Sequence, residues 1–286
     1  MAEKKDKLKW FPGHMKKALD DIEENRIKLA DIILYVLDSR APFSCENPKI
    51  NKIVHNKPII FLFNKADLAD PKRTAEIQKL FESQGKQTLI VSANNASFKN
   101  SVKNAMRKAL AEKIERNKNK KLNATYKVLV LGVPNTGKST LINMLSGSKK
   151  VITGNIAGVT KANQWIKIDG EFMLLDTPGV LWPKFDVEND EGLGINLAYI
   201  GSLSDKEFDF ETLGFNLMKK INELYSENLK EKFDVDFKFD EFIELYDRFC
   251  IKRGFIMRKN EIDYTRAGKT FIDDFRAGKF GRITLE

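Results

Sequence analysis

A chain of 286 residues is long enough for about two domains with real cores, and its 42% hydrophobic and 31% charged content is that of a soluble globular protein, not a disordered, collagen-like or disulfide-built one. No run approaches the ~18 apolar residues of a membrane span, and the basic start lacks the apolar stretch of a signal peptide, so the chain reads as cytoplasmic. The net charge of +9 is clustered: residues 1–17, 113–127 and 248–286 are basic, whereas 203–247 are acidic, a distribution suited to phosphate contacts. The two cysteines, Cys45 and Cys250, have no partner at ligand spacing and read as incidental thiols.

In chain order, Met15, Leu19, Ile22 and Ile27 give residues 14–29 an amphipathic helical spacing. Short β-branched apolar runs follow at 32–37, 59–63, 88–91, 128–131 and 172–175, separated by helical patterns near 73–84, 97–116 and 138–146. Buried strands alternating with helices predict an α/β fold with a parallel sheet and a ligand crevice at the strands' carboxyl ends. Residues 117–124 lack periodicity and read as an exposed basic linker. Beyond Pro183 only helical patterns remain, near 189–200, 211–228, 239–252 and 259–277. The expected division is therefore residues 1–185, bearing the sheet, and 186–286, all helical. Gly278 is the expected stop of the last helix.

The chemistry concentrates at strand ends. Gly132-Val-Pro-Asn-Thr-Gly-Lys-Ser139 follows a strand and opens a helix, as a phosphate loop must. Its N–H groups and helix start would cradle phosphates, with Asn135, Thr136, Gly137, Lys138, Ser139 and Thr140 as the contacting residues. Lys138 is expected on the β and γ phosphates and Ser139 on Mg²⁺. Gly268-Lys269-Thr270 resembles the end of such a loop but follows no strand. Asp176-Thr-Pro-Gly179 closes a later strand, placing a carboxylate near Mg²⁺ and the Gly179 N–H near the γ phosphate. Thr160, or alternatively Thr153, is the candidate hydroxyl that closes on Mg²⁺.

Base choice is read from Asn64-Lys-Ala-Asp67 at the end of another strand. Asp67 can accept from N1–H and the exocyclic amine of guanine, a pair adenine cannot make. Asn64 is expected at the other edge of the base and the Lys65 stem along the ring, while Ser92, Ala93 and Asn94 back the base with main-chain N–H groups. The ligands are thus GTP and GDP. The base motifs precede the phosphate loop, which reverses the ordinary order and defines a circular permutation; the segment 176–182 then leads directly into the helical part.

Together with Trp10-Phe-Pro-Gly-His-Met15, Asp38-Ser-Arg-Ala-Pro42, Lys252-Arg-Gly254 and Asp274-Phe-Arg-Ala-Gly-Lys279, these motifs make the sequence resemble the circularly permuted YlqF/RbgA family of ribosome-assembly GTPases over nearly its whole length. Ser39 stands where that family usually has Ala. The resemblance implies a P-loop GTPase sheet with permuted motif order plus a C-terminal all-helical, RNA-binding domain. It further implies a GTPase acting late on the precursor large ribosomal subunit, with rRNA and ribosomal proteins as partners, stimulated by that particle. Val180 stands where many GTPases carry a water-orienting Gln. On the residues alone His14 either places that water or caps the first helix, and the resemblance points to the former. It also matches Asn135 to a K⁺-holding Asn of potassium-stimulated relatives. Lys252, Arg253, Arg276 and Lys279 are expected RNA contacts; membrane and DNA are not expected partners, and the chain is expected to be a monomer. Two other readings stay open: an RNA-binding assembly scaffold whose nucleotide site is structural, and a permuted GTPase serving the small subunit.

Overall fold

The computed structural model describes residues 20–47, 53–54, 57–147, 165–177, 179, 192–233 and 242–286. A π-helical turn, Ile22–Arg26, runs through Ile27–Leu29 into β1, Ile32–Asp38. There follow α1 (Pro42–Cys45), β2 (Ile59–Asn64), α2 (Pro71–Ser83), β3 (Gln87–Ile90), α3 (Phe98–Ala109), α4 (Ala111–Asn119), β4 (Tyr126–Leu131) and α5 (Lys138–Ser146). After β5 (Trp165–Lys167) and β6 (Phe172–Asp176) come α6 (Leu193–Tyr199), α7 (Phe210–Phe233), α8 (Phe242–Lys252) and α9 (Tyr264–Arg276).

The six strands form one sheet in the order β3-β2-β1-β4-β6-β5, parallel except for β5. β5 is three residues long, too short to leave a period in the sequence, and pairs antiparallel at the edge. From β1 the chain fills one side of the sheet with β2 and β3 and then crosses to β4 and β6. The order therefore reverses between β1 and β4, where a parallel sheet opens its ligand crevice. The expected helix over 97–116 is instead two, because the chain turns at Leu110, which is buried. The second of them, α4, extends to Asn119 into the expected linker.

Alternation along the strands sends side chains to opposite faces. Ile32, Leu34 and Val36 face Val102 and Met106 of α3 and Leu141 and Leu145 of α5. Ile33, Tyr35 and Leu37 face Phe81 of α2 and a continuous apolar cluster that includes Leu217 and Ile221 of α7 and Phe271 and Phe275 of α9. The C-terminal helices thus share a core with one face of the sheet. The boundary expected at residue 185 lies outside the described residues.

Two glycines set how those helices cross. A Cβ on Gly214 of α7 would fall 2.2 Å from Gly268 Cα of α9, and one on Gly268 would fall 2.0 Å from the Phe210 carbonyl oxygen. Gly268, the first residue of the Gly268-Lys269-Thr270 triplet, is accounted for by this close approach. Gly278, at φ +74°, follows the end of α9, and Asp263 caps its start by accepting from the Arg266 N–H at 2.9 Å. The final residues then run back over the sheet domain: the Ile283 and Leu285 N–H groups donate to the Leu68 and Arg40 carbonyls at 3.1 and 2.7 Å.

Candidate nucleotide site

Because the strands are parallel, the residues that end β1, β2, β4 and β6 emerge at one edge of the sheet. Asp38 stands opposite Asn64 in the strand register, and Asp176 opposite Val130. The phosphate loop leaves β4 at Gly132, whose φ of +148° and approach to the Val36 carbonyl admit no side chain. Gly137, at φ +94°, opens α5, and a Cβ there would meet the Asn64 amide at 2.3 Å.

Inside the loop, Lys138 is buried and its Nζ donates to the Val133 carbonyl at 2.9 Å, as does the Thr136 hydroxyl at 3.0 Å. Ser139 and Thr140 occupy the first turn of α5, where N–H groups lack helical acceptors and favour an anion. Gly179 lies against this loop: a Cβ would be 2.6 Å from Pro134 Cα and 2.9 Å from Lys138 Nζ. The Thr177 hydroxyl donates to the Val130 carbonyl at 2.6 Å and pins the end of β6 to β4. Ser202 donates to the Pro134 carbonyl at 2.7 Å and Asn135 Nδ2 to the Gly201 carbonyl at 2.6 Å, so the phosphate loop is tied to the segment after α6.

On the base side, the Ser92 hydroxyl donates to Asp67 Oδ1 at 2.6 Å and accepts from the Asp67 N–H at 3.1 Å, which orients that carboxylate. Asn94, two residues on, is exposed. Lys65, at φ +59°, donates to the Asn135 carbonyl at 2.5 Å and pairs with Asp38 at 2.9 Å.

Asn64 is buried, with Nδ2 donating to the Thr136 carbonyl at 2.7 Å and Oδ1 accepting from the Ala93 N–H at 2.9 Å. Asn64 thus braces the base loop against the phosphate loop, and its Nδ2 keeps a second N–H beyond the one given to Thr136. The Ala93 N–H thereby ties the loop after β3 to Asn64.

His14, Thr153, Thr160 and Val180 lie outside the described residues, as does the side chain of Asp176. Among the described residues no group of three or more His, Cys, Asp or Glu could hold a metal ion.

The sequence assigned no role to Asp38, Ser39 and Arg40, which structure this edge. Ser39 N–H and Oγ both donate to the Asn64 carbonyl, at 2.8 and 2.7 Å. Asp38 is fully buried between Arg40 and Lys65. Burial alone would raise its carboxyl, but the two cations outweigh that and hold it well below the usual carboxylate range. Burial in turn lowers the Lys65 amine. A polar triplet at the end of an apolar strand was the available signal.

The four cations expected on RNA each also have a partner within the chain. Arg276 meets Asp205 through NH1 and NH2, both at 2.9 Å, and donates to the Ala198 and Tyr199 carbonyls. Arg253 and Lys279 both reach Asp274, and Lys252 donates to the Phe233 carbonyl.

A parallel sheet with a phosphate loop at its switch point and a guanine-type carboxylate on the neighbouring loop defines a GTPase. Residues 127–224 match the family described as 50S ribosome-binding GTPase. Over 280 residues, 98% of each chain, the sequence is 39% identical to ribosome biogenesis GTPase A of Bacillus pumilus; it is 30% identical to that of Thermotoga maritima over 98% of this chain and 94% of the other. The chain belongs to the ribosome biogenesis GTPase A family. Its fold is similar to a GDP-bound YlqF, with a TM-score of 0.64 and 26% identity over 92% of this chain and 97% of that one. A GNP-bound YlqF from T. maritima gives 0.63 and 26%, covering 95% and 97%. The chain therefore binds guanine nucleotide and hydrolyses GTP in ribosome biogenesis.

Proposed function

We propose that the chain acts on the precursor of the large ribosomal subunit and couples GTP hydrolysis to a late step of its assembly, working as a cytoplasmic monomer. The observation that carries this reading is the double tie between the phosphate loop and the segment after α6, Asn135 to Gly201 and Ser202 to Pro134, since it gives the nucleotide site a mechanical link to the C-terminal helices. The description of the matching family, a 50S ribosome-binding GTPase, supports the choice of particle.

In this reading Asp67 takes the guanine edge, with Ser92 and Asn94 beside it and the Lys65 stem along the ring. Residues 135–140 and Gly179 hold the phosphates. Ser139, Thr160 and Asp176 would hold Mg²⁺, which when bound offsets phosphate charge, and Asn135 would hold K⁺. Lys138 neutralises the phosphates, and His14 places the attacking water because Val180 carries no hydrogen-bonding group. The rRNA contacts fall on the exposed Arg116, Lys118, Lys120 and Lys121 of the 113–127 stretch and on Lys252, Arg253, Arg276 and Lys279 of the C-terminal segment.

Sedimenting cell extracts on a gradient with a non-hydrolysable GTP analogue tests the proposal. The chain is expected to travel with large-subunit precursors in the presence of the analogue and to leave them with GDP. Travel with the small subunit would overturn the choice of particle. A structural nucleotide site would instead show as subunit binding indifferent to the nucleotide.

A further inference from the structure

Asp38 joins the nucleotide site to the far end of the chain. Its Oδ1 accepts from Arg40 N and Nε at 3.1 and 2.9 Å, and its Oδ2 accepts from Arg40 NH2 at 2.8 Å and Lys65 Nζ at 2.9 Å. Lys65 is thereby fixed at both ends, by its main chain at φ +59° and by an ammonium shared between Asp38 and the Asn135 carbonyl. On the other side, Arg40 NH1 donates to the Phe275 and Arg276 carbonyls at 3.4 and 3.3 Å, and the guanidinium lies 5.2 Å from the centre of the Phe275 ring. Those carbonyls end α9, where a cation is favoured; that of Phe275 also accepts from the Gly278 N–H at 2.9 Å. The Arg40 carbonyl accepts from Leu285, and the base loop's Leu68 carbonyl accepts from Ile283. Gly278 also packs on Leu68, close enough that a Cβ would fall 2.7 Å from its Cδ2.

A buried ion network of this kind is weak evidence for stability, because apolar side chains of the same volume commonly serve as well. Apolar side chains could not hold a lysine ammonium against the phosphate loop. We propose that Asp38 is a positioning residue for guanine-nucleotide binding: it holds Lys65 in place, and through Arg40 it makes nucleotide affinity depend on the seating of α9 and residues 281–286 against the sheet. This rests on the reading that Lys65 and Asp67 border the base. The two partners are coupled reciprocally, so nucleotide must also tighten the seating of the C-terminal segment.

The test measures binding of a fluorescent GDP by the full chain and by Asp38→Asn, Lys65→Met and the double variant. Each single change is expected to weaken binding about tenfold, and the double change no more than the worse single one, because Asp38 acts through Lys65. In turnover the Asp38→Asn loss is expected in KM, with a smaller fall in kcat. Additive losses, or a fall confined to kcat, would overturn the role. If Asp38→Asn does not fold, hydrogen exchange on the wild-type chain decides: saturating GDP is expected to slow the Ile283 and Leu285 amides, and unchanged exchange overturns the coupling. Asp67→Asn, assayed with GDP and XDP, separates the two readings. Failure to shift preference toward XDP overturns the base assignment and the proposal with it, whereas a shift combined with additive losses overturns the coupling alone.

Discussion

Asn64 donates its side-chain amide to the carbonyl of Thr136, 72 residues away, at 2.7 Å. The end of β2 and the phosphate loop are thereby fixed to each other across β1. Asn64→Ala leaves the Thr136 carbonyl and the Ala93 N–H buried without this partner, a cost of about 1–3 kcal/mol. Calorimetric titration with GDP is expected to show about a tenfold loss of affinity together with a lower melting temperature.

Gly268→Ala drives a methyl group into the Phe210 carbonyl where α9 crosses α7. Forced overpacking costs about 1–3 kcal/mol, and a chain of this size is expected to lose a few degrees in melting temperature. Gly254→Ala is the comparison: its Cβ would meet nothing within 4 Å, so only its φ of +72° would be strained. A smaller loss at Gly254 than at Gly268 would identify the crossing, not backbone strain, as the origin.

Arg276→Gln removes the contacts to Asp205, Ala198 and Tyr199. It is expected to lower stability by about 2 kcal/mol in the complete absence of RNA, as loss of charge-assisted hydrogen bonds does. Neutralising Arg116, Lys118, Lys120 and Lys121 is expected to leave the melting temperature unchanged and to flatten the salt dependence of subunit binding. Melting curves and binding at several salt concentrations distinguish the two sets.

Glu286 accepts from the Phe43 and Ser44 N–H groups at 2.7 and 3.0 Å, yet burial raises its carboxyl above the usual range. The folded chain therefore holds this proton more tightly than the unfolded chain, so its contribution to stability falls as pH rises from the ordinary Glu value, about 4.3, through the raised one. Asp38 works in the opposite sense: its carboxyl is lowered, so its contribution is present above about pH 3.9 and is lost as pH falls below it. Wild type is expected to lose stability relative to Glu286→Gln as pH is raised from about 4 to 7, read from denaturant midpoints. A constant difference would contradict the burial of this carboxyl.

His14→Ala is expected to reduce subunit-stimulated GTP turnover by a factor of ~10² or more while leaving GTP affinity nearly intact, as loss of a group that acts on the attacking water does. Single-turnover hydrolysis and nucleotide binding on the same preparations measure both; unchanged turnover would remove His14 from the mechanism.

The strand–loop–helix setting of Gly132–Ser139, the place of Asn64–Asp67 at the end of a strand and the order of the two could be read from the sequence, because each is local chemistry at the end of a strongly apolar strand. The central strands were legible for the same reason. Leu110, which divides the expected long helix, and the three-residue β5 were not, since neither leaves a period. What the tertiary structure decided is how distant residues use one another. Asn64, at the end of β2, proved to brace the phosphate loop through Thr136 and the next loop through Ala93. Arg276 and Lys279, expected as RNA contacts, also pair with Asp205 and Asp274 within the chain. A charge run in a sequence has no partners until the chain folds, and here folding supplied them from within.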